Sequence, residues 1–287
     1  MKKFASIGTG ALAALAIVST LAGCASTPAT DDSSSAPDSS AVDTRYLTAG
    51  KITIATGEPA YYPYVIDDKP ESGEGFESAV AYAVADQLGF AAADVVWVRT
   101  GFDEAIQPGP KSFDINLQQF SITDERKATV DFSSPYYSTP QAVITIKGSK
   151  AEGATSIADL ADLVIGAQTG TTSLEAINDV VKPTSDAAVF NTNDDAVLAL
   201  TSGQIDALVV DLPTAFYLTG AELDAGVLLG QLPAADGVSD EWGILLDKDS
   251  PLTADVTAAV DAITADGTLD TITDKWLGAD AGAPVLE

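Results

Sequence analysis

The stretch Leu163-Val164-Ile165-Gly166-Ala167-Gln168-Thr169-Gly170-Thr171-Thr172-Ser173-Leu174-Glu175 joins an apolar run to a glycine turn and a helix start. Four apolar or small residues, Leu163 to Gly166, suit a buried strand. Gly170-Thr171-Thr172 then leads into a helix, and Thr172 with Glu175 has capping-box spacing. The free N–H groups of such a first turn can receive a carboxylate. Strand, tight turn and helix in this order are one unit of an α/β protein.

The same unit recurs on both sides. Downstream come a strand near Ala188-Val189-Phe190, a helix over Asp194 to Thr201 and the strand Ala207-Leu208-Val209-Val210. Two helical stretches, about Leu252 to Ala265 and Leu269 to Leu277, end the series, with Gly278 as a stop. Upstream, Lys51 to Thr56 alternates apolar and polar residues as a first strand does. Phe76, Ala79, Val80, Ala83, Val84 and Leu88 recur at helical spacing, with Glu77 in the first turn and Gly89 as C-cap. Val95 to Val98, Phe113 to Leu117 and Ala142 to Ile146 are further strands. Two strand-helix series predict two α/β lobes with mostly parallel pairing.

Composition removes many functions. The chain of 287 residues has no histidine and one cysteine, Cys24. That excludes an internal disulfide, a Cys/His metal site and a Ser-His-Asp triad, and neither metal nor cofactor is expected. With 14 Lys+Arg against 42 Asp+Glu, the net charge of −28 disfavours nucleic acid and anionic membrane surfaces as partners.

The first residues read as an address. Lys2-Lys3 precedes an uncharged run, Ala5 to Leu21, too short for a relaxed membrane span and suited to an export signal. Leu21-Ala22-Gly23-Cys24 resembles the lipobox of bacterial lipoproteins, in which the cysteine is lipidated and becomes the new N-terminus. Ala25 to about Val42, with DDSSSAPDSS, has too little apolar surface to fold and reads as a tether. The expected division is a signal peptide over 1–23 and a lipidated tether over 24–44. A lobe of 45–145 plus 242–287 and a second lobe of 146–241 would follow. Loss of the signal takes the net charge to −30.

Several motifs stand in a telling order. They are Gly75-Phe76-Glu77, Ser121-Ile122-Thr123-Asp124-Glu125-Arg126-Lys127 with Val130-Asp131-Phe132-Ser133 and Pro135-Tyr136-Tyr137, and Gly166 to Thr172. Gly203-Gln204-Ile205-Asp206-Ala207 with Asp211-Leu212-Pro213, and Ala265-Asp266-Gly267-Thr268 with Lys275-Trp276-Leu277-Gly278, follow. Together they resemble the type II periplasmic solute-binding proteins of the polar amino-acid ABC transporter class, over about Ile52 to Gly278. That resemblance implies two lobes, each a mixed, mostly parallel sheet flanked by helices, joined by a two-strand hinge near Ile144–Ile146 and Gly243–Leu245. It implies a monomeric receptor outside the cytoplasm, tethered only by lipid, that hands a free amino acid to an ABC permease. The scaffold is also that of exported cyclohexadienyl dehydratases and of ligand-sensing modules.

The residues agree with such a ligand, whose carboxylate and ammonium both need fixed opposite charges when buried. Arg126 can grip a carboxylate with two parallel bonds, and the turn at Thr171 and Thr172 can add N–H donors. Asp211 ends an apolar strand, where open α/β sheets place ligands. The resemblance implies that Asp211 holds the ammonium, helped by the Ser121 hydroxyl and the Gln119 carbonyl. The family commonly has a small residue where Gln119 stands. By position, Glu58, Tyr61 and Phe102 match residues that meet the ligand side chain.

Overall fold

The computed structural model describes residues 43–234, 239–278 and 282–287. The expected signal peptide, Cys24 and nearly all of the tether lie outside the described residues.

The chain runs β1 (Ile52–Gly57), α1 (Phe76–Gln87), β2 (Val95–Thr100), α2 (Phe102–Ile106), β3 (Ile115–Asn116), α3 (Asp124–Lys127), β4 (Val130–Thr139) and β5 (Gln141–Ile146). It continues through α4 (Ile157–Leu160), β6 (Ile165–Gln168), α5 (Thr172–Ala176), β7 (Ala188–Phe190), α6 (Asn193–Thr201) and β8 (Ala207–Asp211). The last elements are α7 (Leu212–Tyr217), β9 (Gly226–Gln231), β10 (Asp240–Asp247), α8 (Thr253–Ala265) and α9 (Thr268–Trp276).

Two sheets form, in the orders β2-β1-β3-β10-β4 and β7-β6-β8-β5-β9, one per lobe. In the first, β1 runs parallel to β2 and β3, and β10 runs antiparallel to β3 and β4. In the second, β6 runs parallel to β7 and β8, and β5 runs antiparallel to β8 and β9. The parallel half of each sheet is the strand-helix series legible in the sequence.

Period-two alternation feeds a core on each sheet face. Ile52 and Ile54 of β1 join a cluster with Phe76, Val80 and Val84 of α1, Val256 and Val260 of α8, and Trp242, while Ala55 joins Phe113, Phe120 and Leu245 on the other face. In β8, Leu208 and Val210 face one cluster and Ala207 and Val209 the other. Helix α1 begins at Gly75, whose φ is 105° and where an added Cβ would lie 2.3 Å from the Tyr64 carbonyl oxygen. No side chain fits there, so this helix start is fixed by glycine.

The crossing between lobes falls elsewhere than expected. Thr139 still pairs in the first sheet, opposite Asp240. After Pro140, Gln141 already pairs with Asp211 in the second. Ile144 to Ile146 pair only with β8 and β9, and Gly243 and Leu245 only within the first sheet. The chain therefore changes sheet at Thr139–Gln141 and is back in the first sheet at Asp240. An apolar strand shows its existence in sequence but not its partner, which is why the expected positions were displaced. Strand β4 shows the same limit. Pro135 speaks against a strand, yet β4 is an edge strand and Pro135 sits opposite Gly243, at a register shift of β10.

Candidate functional site

The sheets turn their functional side chains toward one another. A cavity of about 50 Å³ is lined from the first lobe by Tyr61, Phe102, Gln118, Gln119, Ser121 and Arg126. From the second lobe come Gln168, Thr171, Thr172, Ser173, Asn193, Val210, Asp211 and Thr214. Eight of the nine expected ligand residues line it; the ninth, Glu58, is exposed and lies outside the lining.

Arg126 is held on α3, a single turn capped by Thr123, whose hydroxyl accepts from the Arg126 amide at 3.1 Å. Its side chain is buried, and burial lowers its pKa from the ordinary value. Nη1 donates to the Ser121 carbonyl at 2.7 Å and Nη2 to the Gly170 carbonyl at 2.9 Å, so one guanidinium touches both lobes. The group also lies 5.4 Å from the Phe102 ring centroid, and Phe102 stacks on Phe120. A guanidinium has five N–H donors in a rigid fork. Two carbonyls hold its plane, and the rest of the fork belongs to the cavity wall.

The turn into α5 differs by one residue from the capping box expected at Thr172. The N-cap is Thr171, whose hydroxyl accepts from Leu174 N at 3.2 Å and donates to the Gln168 carbonyl at 2.7 Å. Thr172 is thereby freed as the first helical residue. Its hydroxyl lies 3.2 Å from Ser121 Oγ and donates to Asp240 Oδ2 at 2.5 Å, across the lobes.

Asp211 ends β8 and starts α7, where Leu212-Pro213 occupy the first helical positions. Burial pushes its carboxyl up to about 7, and nearby Asp240 adds to this, against the Gln141 hydrogen bond and the Arg126 charge. A buried carboxyl of this kind gains most from a cation placed beside it.

Gln119 stands on a buried support that sequence patterning did not reveal. Its φ is 52°, its backbone N–H donates to Glu77 Oε1 at 2.7 Å, and its side-chain amide donates to Glu77 Oε2. The Tyr136 hydroxyl also donates to Glu77 Oε1. The large residue is accommodated because its amide is anchored to α1. Burial raises the Glu77 carboxyl to about 7, against three hydrogen bonds that favour the charged form.

Two larger hollows adjoin the cavity. One, of about 320 Å³, shares Tyr61, Gln119, Asn193 and Thr214 with it and adds Tyr62, Tyr217, Asp67, Asp194 and Glu222. The other, of about 420 Å³, is lined by Asp124, Glu175, Asp179, Asp240 and Glu241 among others, with no Arg or Lys. It offers nothing for a carboxylate, which leaves the central cavity as the candidate site. Among the described residues no group of His, Cys, Asp or Glu could hold a metal ion. Sequence reasoning missed Gln141, Asp240, Asn193 and Thr214, which carry no motif and meet only through the fold.

Arg126 from one lobe and Asp211 from the other, on the wall of one cavity, fit a class: two-lobed binders of a small charged solute. The chain belongs to the bacterial extracellular solute-binding proteins, family 3, whose profile matches residues 52–279. It is 30% identical to the L-arginine-binding protein of Pseudomonas aeruginosa over 230 residues, 78% of this chain and 86% of that one. It is 28% identical to a probable histidine-binding protein of Campylobacter jejuni over 230 residues, 78% of this chain and 85% of that one. Among solved structures, an ancestral arginine-binding protein bound to glutamine matches with a TM-score of 0.67 at 30% identity. That match covers 81% of this chain and all of the other. Among the described residues no helix is long and apolar enough to cross a membrane.

Proposed function

We propose that the chain is the receptor of an amino-acid ABC importer, a lipoprotein held outside the cytoplasm by lipid on Cys24, which closes its lobes on a free polar amino acid. The observation that carries this is the pairing of Arg126 and Asp211, one from each lobe, on the wall of a single cavity. The ligand docks on the first lobe through its carboxylate, on Arg126 and Ser121. Closure brings Thr171, Thr172 and Asp211 to the ligand and expels water, which strengthens each polar contact. The hollow beyond Tyr61, with its tyrosines and carboxylates, accommodates a polar or basic side chain. The ligands for which the two relatives are named, arginine and histidine, agree with that. The closed shape is what the permease recognises, and no step makes or breaks a bond in the ligand.

The test is a thermal melt of the protein, refolded free of carried-over solute, against the common amino acids, polyamines, prephenate and arogenate. A ligand at about a thousand times its dissociation constant adds roughly 4 kcal/mol, or roughly 10 °C at this size. Such a shift with one or two α-amino acids is the expected result. Turnover of prephenate or arogenate, with no amino acid shifting the melt, would replace the receptor by a dehydratase.

A further inference from the structure

Asp240 opens β10, where the chain returns to the first sheet, and it does not line the central cavity. Yet its Oδ2 collects donors from both lobes: Thr172 Oγ1 at 2.5 Å, Gln141 Nε2 at 2.7 Å and Ser121 Oγ at 3.4 Å. Gln141 opens β5 at the other crossing, directly opposite Asp211 in register. Its Nε2 is also 2.7 Å from Asp211 Oδ1, and its Oε1 accepts from Ser173 Oγ at 2.6 Å. The two amide hydrogens thus face two carboxylates, one each. The reverse orientation would aim a carbonyl at both acids, so the amide has one sense.

We propose that Asp240 is a positioning residue for solute capture: through the Gln141 amide it aims Asp211, and through the Thr172 hydroxyl it ties the start of α5 to the first lobe. This rests on the receptor reading above. Gln141 at one crossing and Asp240 at the other meet in this one contact, and the Thr172 bond to the same carboxylate forms only when the lobes meet, so solute escape requires breaking it. The charge gives the contact a pH dependence: Asp211 is faced by Gln141 from β5, Asp240 from β10, Arg126 from α3 and Glu77 from α1, and after burial Asp240 is the largest influence that raises its carboxyl.

The experiment uses the full chain and the variant Asp240→Asn, which keeps the size and removes the charge. Association and dissociation rates of L-arginine, L-histidine and L-glutamine are measured at pH 6 and pH 8. Hydrogen exchange of the Ser173 and Leu174 amides is followed without solute. Dissociation is expected to quicken by roughly tenfold at pH 8, the scale of a lost charge-assisted hydrogen bond, with association within about twofold. The loss should be smaller at pH 6. Without Asp240 the Asp211 carboxyl titrates lower and stays charged where the parent is protonated. Exchange at Ser173 and Leu174 should quicken.

Unchanged rates and exchange would overturn the proposal, and a loss equal at both pH values would overturn the aiming of Asp211. If the parent binds none of the three solutes, the receptor reading fails for them. The exchange result then decides the α5 tie alone, unchanged exchange refuting it. Should Asp240→Asn fail to fold, Gln141→Met removes the amide between the acids with Asp240 intact, and the same quickened dissociation is expected.

Discussion

Arg126 on the first lobe donates from Nη2 to the carbonyl of Gly170 on the second at 2.9 Å, so the carboxylate-binding group is itself a contact between lobes. Gly170 is 69° in φ, and its carbonyl direction depends on that left-handed turn. Docking of solute and meeting of lobes therefore share one side chain.

Arg126→Lys keeps the charge and loses the fork. An ammonium cannot hold the Ser121 and Gly170 carbonyls and also present two parallel donors to a ligand. Affinity for the amino acid found by the melt screen should fall by about 2–5 kcal/mol, as when one partner of a buried charge pair is lost. Titration calorimetry checks it, and parent-like affinity would remove Arg126 from the site.

Gly170→Ala places a Cβ 2.2 Å from Asp103 Oδ1, and an alanine in left-handed backbone costs about 1–2 kcal/mol. Asp103 comes from α2 on the first lobe, so the strain falls where the lobes meet. Solute affinity should drop several-fold, with the unliganded melt lowered by a few degrees. An unliganded melt that falls while affinity holds would locate the strain outside closure.

Binding should weaken in acid. An ammonium needs Asp211 charged, and its carboxyl stands at about 7. Below that pH a proton must leave for each ligand bound. The dissociation constant should rise by up to tenfold per unit as pH falls from 7 toward 5. A flat profile in calorimetry would mean Asp211 does not hold the ammonium.

Stability should run the other way. Glu77 is held at about 7 by burial, against an ordinary value of 4.5. A carboxyl raised in the folded state favours folding in acid, and that stability is lost as pH climbs from 4.5 through 7, by about 3 kcal/mol in all. Glu77→Gln should lessen this slope in urea melts between pH 4.5 and 7.5, leaving the part due to Asp211, whose carboxyl is raised likewise, while weakening the support under Gln119. An unchanged slope would assign it to another group.

The sequence by itself determined the α/β character, the strand-helix series and the helix start at Gly75, because periodicity and glycine turns are local signals, and its ordered motifs marked Arg126, Ser121, Thr171, Thr172 and Asp211 as candidates. It did not determine that β5 belongs wholly to the second sheet, that Pro135 lies within β4, or that Thr171 rather than Thr172 caps α5. Nor did it show that Glu77 supports Gln119, or that Gln141 and Asp240 converge behind Asp211. Those depend on which strands pair and in what register. Asp240 lies 99 residues from Gln141 and 68 from Thr172 along the chain, and only closing the sheets brings these groups to hydrogen-bond distance.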